Sequence, residues 1–75
     1  MEPFNIQVNI EGNPETLRVV LDRLSNTYAL YDKGTSIGLA WTEEENSVRK
    51  WCGEGMVALE HLDQIGEQID ASLNR

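Results

Sequence analysis

The sequence predicts an α+β fold, in which an antiparallel β-meander of four or five strands carries one C-terminal amphipathic helix packed on one face. Two observations predict it. Residues 4–10 alternate apolar and polar side chains, as a half-buried strand does, and further alternating segments follow between turn residues. Residues 56–73 instead repeat their apolar side chains at helical spacing. A chain of 75 residues is expected to form one small domain, residues 1–75.

The first strand is predicted at residues 4–10, because the Gly-Asn-Pro sequence at residues 12–14 supplies turn chemistry directly after it. Residues 14–24 then allow two interpretations. In the first they form a strand that returns beside the first one, across a hairpin closed by residues 12–15. The in-facing pairs of this register are Leu17 with Ile10, Val19 with Val8, and Leu21 with Ile6. Apolar side chains then meet on one face, which favours the strand.

The second interpretation is a helix over residues 14–24, which gives a β-α-β-β-type fold with two helices on one side of the sheet. Asn13 suits the N-cap and Pro14 the first helical position. The apolar residues at helical spacing are Leu17, Val20, Leu21 and Leu24. We favour the meander, because its register satisfies both strands without an additional assumption.

Two more strands are predicted over residues 26–31 and 36–41, joined by a turn at Asp32-Lys33-Gly34-Thr35. Alternation in the later strand is expected to point three side chains to one face. They are Ile37, Leu39 and Trp41.

Residues 42–53 again allow two interpretations. One is a short helix, with Thr42 and Glu45 as a capping box. The other is a polar loop over residues 43–47 followed by a last strand over residues 48–52. The loop and strand are favoured, because the apolar face of such a helix would be thin. The Gly-Glu-Gly sequence at residues 53–55 is expected to form a flexible joint before the terminal helix.

The terminal helix is predicted over residues 56–73. Its apolar side chains fall in one sector about 120° wide, expected to cover the sheet. They are Ala58, Leu59, Leu62, Ile65, Gly66, Ile69 and Leu73. A second sector, called the acidic stripe below, carries only carboxylates, and no basic residue lies three or four positions from any of them. Its members are Glu60, Asp63, Glu67 and Asp70.

Several short motifs resemble small bacterial proteins of unassigned function that combine a strand meander with a C-terminal helix. The resemblance rests on Tyr28-Ala29-Leu30-Tyr31, on Ile37-Gly38 and Trp41, and on the helical residues Leu62, Ile65-Gly66 and Ile69. It extends over residues 4–73 and implies the same fold. The resemblance implies no biochemical activity.

The net charge of the chain limits the classes of partner that it is expected to bind. The formal net charge is −7, which disfavours direct binding to nucleic acid or to an anionic membrane, because such binding depends on Lys and Arg. We therefore expect a protein partner or a homodimer.

Cys52 is the only cysteine, so an intramolecular disulfide is excluded. The N-terminal sequence lacks the features of a secretory signal and no apolar run has transmembrane length, so a cytoplasmic location is expected.

The residues that could carry chemistry are few, and no enzyme activity and no cofactor are expected. Cys52 and His61 are the only pair that could act as nucleophile and base, but Glu54 and Glu60 beside them would raise the pKa of the thiol. One histidine and one cysteine do not reach the three or four ligands of a zinc site. The three glutamates at residues 43–45 lack the alternation and the glycine of a calcium loop.

One helix covers only one face of the predicted sheet, so the other face is a candidate interaction surface. Alternation is expected to place Val20, Leu24, Tyr31 and Trp51 there. With the acidic stripe, these residues indicate a small acidic protein that acts as a non-enzymatic interaction or regulatory module. The alternative is an acidic decoy, whose stripe and residues 43–45 imitate nucleic-acid phosphates and occupy a basic DNA-binding protein.

Overall fold

The computed structural model describes residues 2–55 and 59–73. The elements in chain order are the strands β1 (Phe4–Ile10), β2 (Asn13–Asp22), β3 (Thr27–Asp32), β4 (Thr35–Glu45) and β5 (Val48–Gly55), followed by the helix α1 (Leu59–Leu73). The strands form one antiparallel sheet in the order β1-β2-β3-β4-β5. The predicted α+β meander with a single C-terminal helix is therefore confirmed. The predicted helical residues 56–58, Ala58 among them, lie outside the described residues.

Three of the four hairpins turn on two residues that both have positive φ, a backbone geometry whose twist matches that of the flanking strands. The turn pairs are Glu11 (φ 53°) with Gly12 (φ 83°), Lys33 (φ 51°) with Gly34 (φ 83°), and Asn46 (φ 52°) with Ser47 (φ 65°). Such short turns set the pairing of the strand residues next to them, up to any bulge. The tight turns therefore determine which residues lie opposite each other.

The alternative helix over residues 14–24 is wrong, because β2 occupies most of this segment. The predicted register of the first hairpin is also wrong. Ile6 lies opposite Leu17 and not opposite Leu21, a shift of four positions along β2, because the turn forms at Glu11 and Gly12 instead of at residues 12–15. The shift is an even number of residues, so the inward and outward faces of both strands are unchanged.

The alternative helix over residues 42–53 is wrong as well. β4 continues through Glu45, so residues 43–45 are strand and not loop, and β5 runs through Gly55 in place of the expected flexible joint. Cross-strand charge pairs favour this longer hairpin, since Glu43 lies opposite Lys50 and Glu44 opposite Arg49.

A β-bulge in β4 changes which of its side chains face the helix. Leu30 pairs with Gly38 but the next residue, Tyr31, pairs with Ser36, so Ile37 is the extra residue. Ile37 packs against the core, whereas Leu39 has Ala29 and Glu54 as its cross-strand partners, on the opposite face. The expectation that Ile37, Leu39 and Trp41 share one face is therefore wrong at Ile37.

The core lies between the sheet and α1. Its buried apolar residues are Ile6, Val8, Leu17, Val19, Leu30, Ala40, Leu62, Ile65 and Ile69. The last three confirm the apolar sector predicted for the helix. α1 lies closest to β1 and β5, the two edge strands. A flat five-stranded sheet would separate its edges by about 19 Å, more than the width of a helix. One turn of α1 nevertheless contacts both edges, with Gln64 at β1 and Gly66 at β5, so the sheet curls around α1.

Candidate interaction surfaces

The face of the sheet turned away from α1, called the outer face here, carries a group of apolar side chains. Val20, Ala29 and Leu39 lie side by side across β2, β3 and β4, one position from the buried residues of those strands. Tyr31 and Trp41 flank this row on the same face, and all five are partly buried. We call these five residues the outer patch.

Trp51 does not belong to the outer patch, contrary to the prediction from alternation. It lies on the inner face, where a Cβ added at Gly66 of α1 would collide with its indole ring. The bulge at Ile37 explains the error. The extra residue reverses the inward and outward positions that follow it in β4, so Trp41 faces outward and Trp51 of β5 faces inward.

The other predicted surface residues divide into two groups. Val20 and Tyr31 lie on the outer face, as alternation predicts. Leu24 lies beyond the end of β2, in the connection to β3, where its side chain is fully exposed and separate from the patch.

Trp51 of β5 contacts both β3 and the helix. Its ring packs against Tyr28 with the centroids 5.7 Å apart, and its Nε1 donates a hydrogen bond to Asp70 Oδ2 at 3.4 Å. The Arg49 guanidinium lies 6.0 Å from the centre of the indole and donates to the same carboxylate oxygen at 2.5 Å. Asp70 therefore receives two donors from β5.

These contacts change the interpretation of the acidic stripe. Glu60, Asp63 and Glu67 are exposed, as expected. Asp70, however, forms an ion pair with Arg49, whose side chain comes from β5 and not from a neighbouring turn of the helix. The helix itself supplies no basic neighbour at i±3 or i±4, as the sequence shows, but β5 supplies a counter-charge at Asp70. The same contact places the stripe on the side of α1 that faces β5.

An open groove of about 380 Å³ lies beside β5. It extends from the β4–β5 turn to the helix, and its walls include Glu45, Val48, Lys50, Trp51 and Asp63. Trp51 is partly buried here, whereas Val48 is 65% exposed although it is apolar. The groove therefore combines apolar surface with charges of both signs.

On the opposite edge of the sheet, α1 bonds directly to the main chain of β1. The Gln64 side-chain amide accepts a hydrogen bond from the Asn9 N–H at 2.6 Å and donates one to the Asn9 carbonyl at 3.0 Å. A neighbouring strand would make the same two bonds. Gln64 thus closes the edge of β1 at Asn9.

Cys52 and His61 do not come together. Cys52 lies on the outer face as the partner of Trp41, whereas His61 belongs to the helix on the inner face. The Cys52 thiol lies 3.1 Å from Glu43 Oε2, and this hydrogen bond raises the pKa of the thiol, with smaller contributions from desolvation and from the glutamate charge. His61 Nε2 lies 3.6 Å from Glu60 Oε1.

Within residues 2–55 and 59–73, no group of three or more His, Cys, Asp or Glu side chains is placed to hold a metal ion. Over the same residues, the structure has no helix with the length and apolar character needed to span a membrane. Comparison of the chain with protein-family models, with curated proteins and with solved structures finds no match.

Proposed function

We propose that this protein is a small non-enzymatic interaction module that binds another protein, or a second copy of itself, through the outer patch. The observation that carries the proposal is the position of Trp41 and Tyr31, two large aromatic side chains on the face that α1 leaves open. Aromatic residues are enriched at the centres of protein interfaces.

The surroundings of the outer patch support this proposal. Register places charged side chains around it on the same face: Arg18 and Asp22 on β2, Glu43 on β4, and Lys50 on β5. An apolar centre with a polar rim is typical of protein interfaces. The single free thiol of Cys52 fits a reducing compartment such as the cytoplasm, where we expect the module to act.

The substitution Trp41→Glu tests the proposal. It places a charge in the outer patch, at its largest side chain, without touching the core, so we expect it to abolish association while the far-UV circular dichroism stays unchanged. Leu24→Glu is the matched control, because it introduces the same charge at an exposed apolar residue outside the patch. Sedimentation at high micromolar concentration measures self-association, and a pull-down measures other partners. A parent protein that remains monomeric and captures nothing in 0.5 M salt would overturn the proposal.

The alternative function, an acidic decoy for a DNA-binding protein, has less support. Glu60, Asp63 and Glu67 keep the stripe partly acidic, but Asp70 is neutralised by Arg49. Residues 43–45 alternate between the two faces of β4 and cannot extend the stripe as one row. The decoy would be favoured by a basic partner that is released by 0.5 M salt and binds the Trp41→Glu variant as well as it binds the parent protein.

A further inference from the structure

We propose that the free edge of β5 binds an extended, basic segment of a partner protein, which adds to the sheet as a sixth strand. This site is separate from the outer patch and uses different atoms. It rests on the direction of the main-chain groups of β5, on the groove beside them, and on the charges around that groove.

The β4–β5 turn determines the direction of the main-chain groups. In a two-residue hairpin the residues that flank the turn form a hydrogen-bonded pair, and here these are Glu45 and Val48. The N–H and C=O groups of successive residues alternate between the two edges of a strand. Those of Val48 and Lys50 therefore point to β4, and those of Arg49 and Trp51 point away from the sheet, since β5 is an edge strand of the sheet formed by the described residues.

The groove lies along this edge. It is lined by the β5 residues from Val48 to Trp51 and, across from them, by Asp63 of α1. Adding a strand needs both unpaired main-chain groups and space beside them, and this edge offers both. The exposed Val48 side chain on the outer face and the partly buried Trp51 ring on the inner face give apolar contact to residues on either face of the added segment.

The two edges of the sheet differ in what the helix presents to them. At β1, Gln64 supplies a donor and an acceptor, so it bonds both main-chain groups of Asn9. At β5, the helix presents the carboxylate of Asp63, which accepts hydrogen bonds and cannot satisfy main-chain carbonyls. The helix thus replaces a strand at Asn9 but does not do so along β5.

The charges around the groove select a basic segment. Of the two cations nearby, Arg49 is bonded to Asp70, and Lys50 lies opposite Glu43. Glu45 and Asp63 are exposed acids that line the groove, and Glu67 follows Asp63 in the acidic stripe of the helix. A strand whose alternate side chains are Lys or Arg would direct those charges to the helix, whereas an acidic strand would be repelled.

A titration with a blocked hexapeptide of alternating lysine and valine tests the proposal on the isotope-labelled full chain. We expect chemical-shift changes and slowed hydrogen exchange at the amides of Arg49 and Trp51. A strand that adds antiparallel with its lysine side chains towards the helix directs its lysine N–H groups to β5, so the same peptide with N-methylated lysines should bind about tenfold more weakly. An acidic peptide of alternating glutamate and valine should not bind. Shifts confined to the outer patch, or equal binding of all three peptides, would overturn the proposal.

Two pairs of variants locate the interaction. Arg49→Pro removes the outward N–H, whereas Arg49→Ala removes the same side chain and keeps that donor, so only the proline variant should lose the peptide contact at this position. If Arg49→Pro does not fold, a charge test remains. Asp63→Asn combined with Glu67→Gln should weaken binding by about fivefold at low salt.

The matched control for the charge test is Glu2→Gln combined with Glu11→Gln, which changes the net charge equally at exposed sites away from β5. Equal affinity of the two double variants would show that the helix acids do not recognise the segment. The variant Trp41→Glu should bind the peptide like the parent, and this result separates the β5 site from the outer patch.

Discussion

Gly66 makes room in α1 for the indole ring of Trp51. In an isolated helix, glycine is less favourable than alanine by about 1 kcal/mol, so its presence in the middle of this helix needs a reason. The reason is steric, because a Cβ at this position would lie inside van der Waals contact with three atoms of the Trp51 ring. The small residue and the large ring fill one space between them.

We predict that Gly66→Ala destabilises the domain by about 1–3 kcal/mol, although helix propensity alone would predict the opposite sign. Urea denaturation followed by far-UV circular dichroism measures the change. The double variant Gly66→Ala with Trp51→Leu should recover part of the loss relative to Trp51→Leu alone, because the smaller side chain leaves space for the methyl group. A stabilised single variant would contradict the packing described here.

Ile65 and Ile69 are buried in the contact between α1 and the sheet. Each substitution to alanine is expected to lower the free energy of unfolding by about 2–5 kcal/mol, through lost burial and a residual cavity. The control is Ala71→Gly on the exposed side of the same helix, which should lose only about 1 kcal/mol of helix propensity. Unchanged melting temperatures for both isoleucine variants would contradict the assignment of the core.

The Cys52 thiol is expected to react slowly, since its hydrogen bond to Glu43 raises its pKa. A raised pKa means less thiolate at a given pH, so labelling at pH 8 should be slower than for an unstructured cysteine. Glu43→Ala removes both the hydrogen bond and the charge and should speed labelling, whereas His61→Gln, on the other side of the sheet, should leave the rate unchanged. Rapid labelling of the parent protein at pH 6 would disprove the claim of an unactivated thiol.

The main element of this fold that limits edge pairing is α1, which bonds to β1 through Gln64. Exposed sheet edges promote association between chains, and proteins often cover them with a helix or a charge. Gly53 assists the approach of the helix on the β5 side, because a Cβ there would lie 3.0 Å from Leu62 Cδ1. The helix therefore packs close to both edge strands, but its bonds to main-chain groups described here are those of Gln64 to β1.

We predict that Gln64→Ala speeds hydrogen exchange of the Asn9 amide and destabilises the domain by about 1 kcal/mol, since two hydrogen bonds to β1 are lost. Gln68→Ala, one turn further along the helix, is the matched control and should leave the exchange of Asn9 unchanged. Nuclear magnetic resonance measures the hydrogen-exchange rate of the Asn9 amide in each variant. Equal rates in the two variants would mean that Gln64 does not protect this edge.

At the scale of the whole molecule, the two tryptophans lie on opposite faces of one curled sheet. Trp51 lies under the helix and Trp41 lies on the open face. We therefore expect Trp51→Glu to unfold the domain and Trp41→Glu to leave it folded. Thermal melts followed by circular dichroism compare the two variants. A folded Trp51→Glu variant would contradict the placement of this ring against α1.

The sequence by itself determined the fold class and much of the core. Alternation in β1 and helical periodicity in α1 are local patterns, and a local pattern is sufficient to predict an element and its buried face. The helix residues Leu62, Ile65 and Ile69 were predictable for this reason, as was the turn at Lys33 and Gly34.

Only the tertiary structure decided the register of the first hairpin, the bulge at Ile37 and the position of Trp51. Each depends on contacts between distant residues, and one inserted residue is enough to reverse the two faces of a strand without a change in composition. The partner of Asp70 and the direction of the free groups on β5 depend on pairing in the same way. Local periodicity gives the elements, and the interaction surfaces follow from how those elements pack.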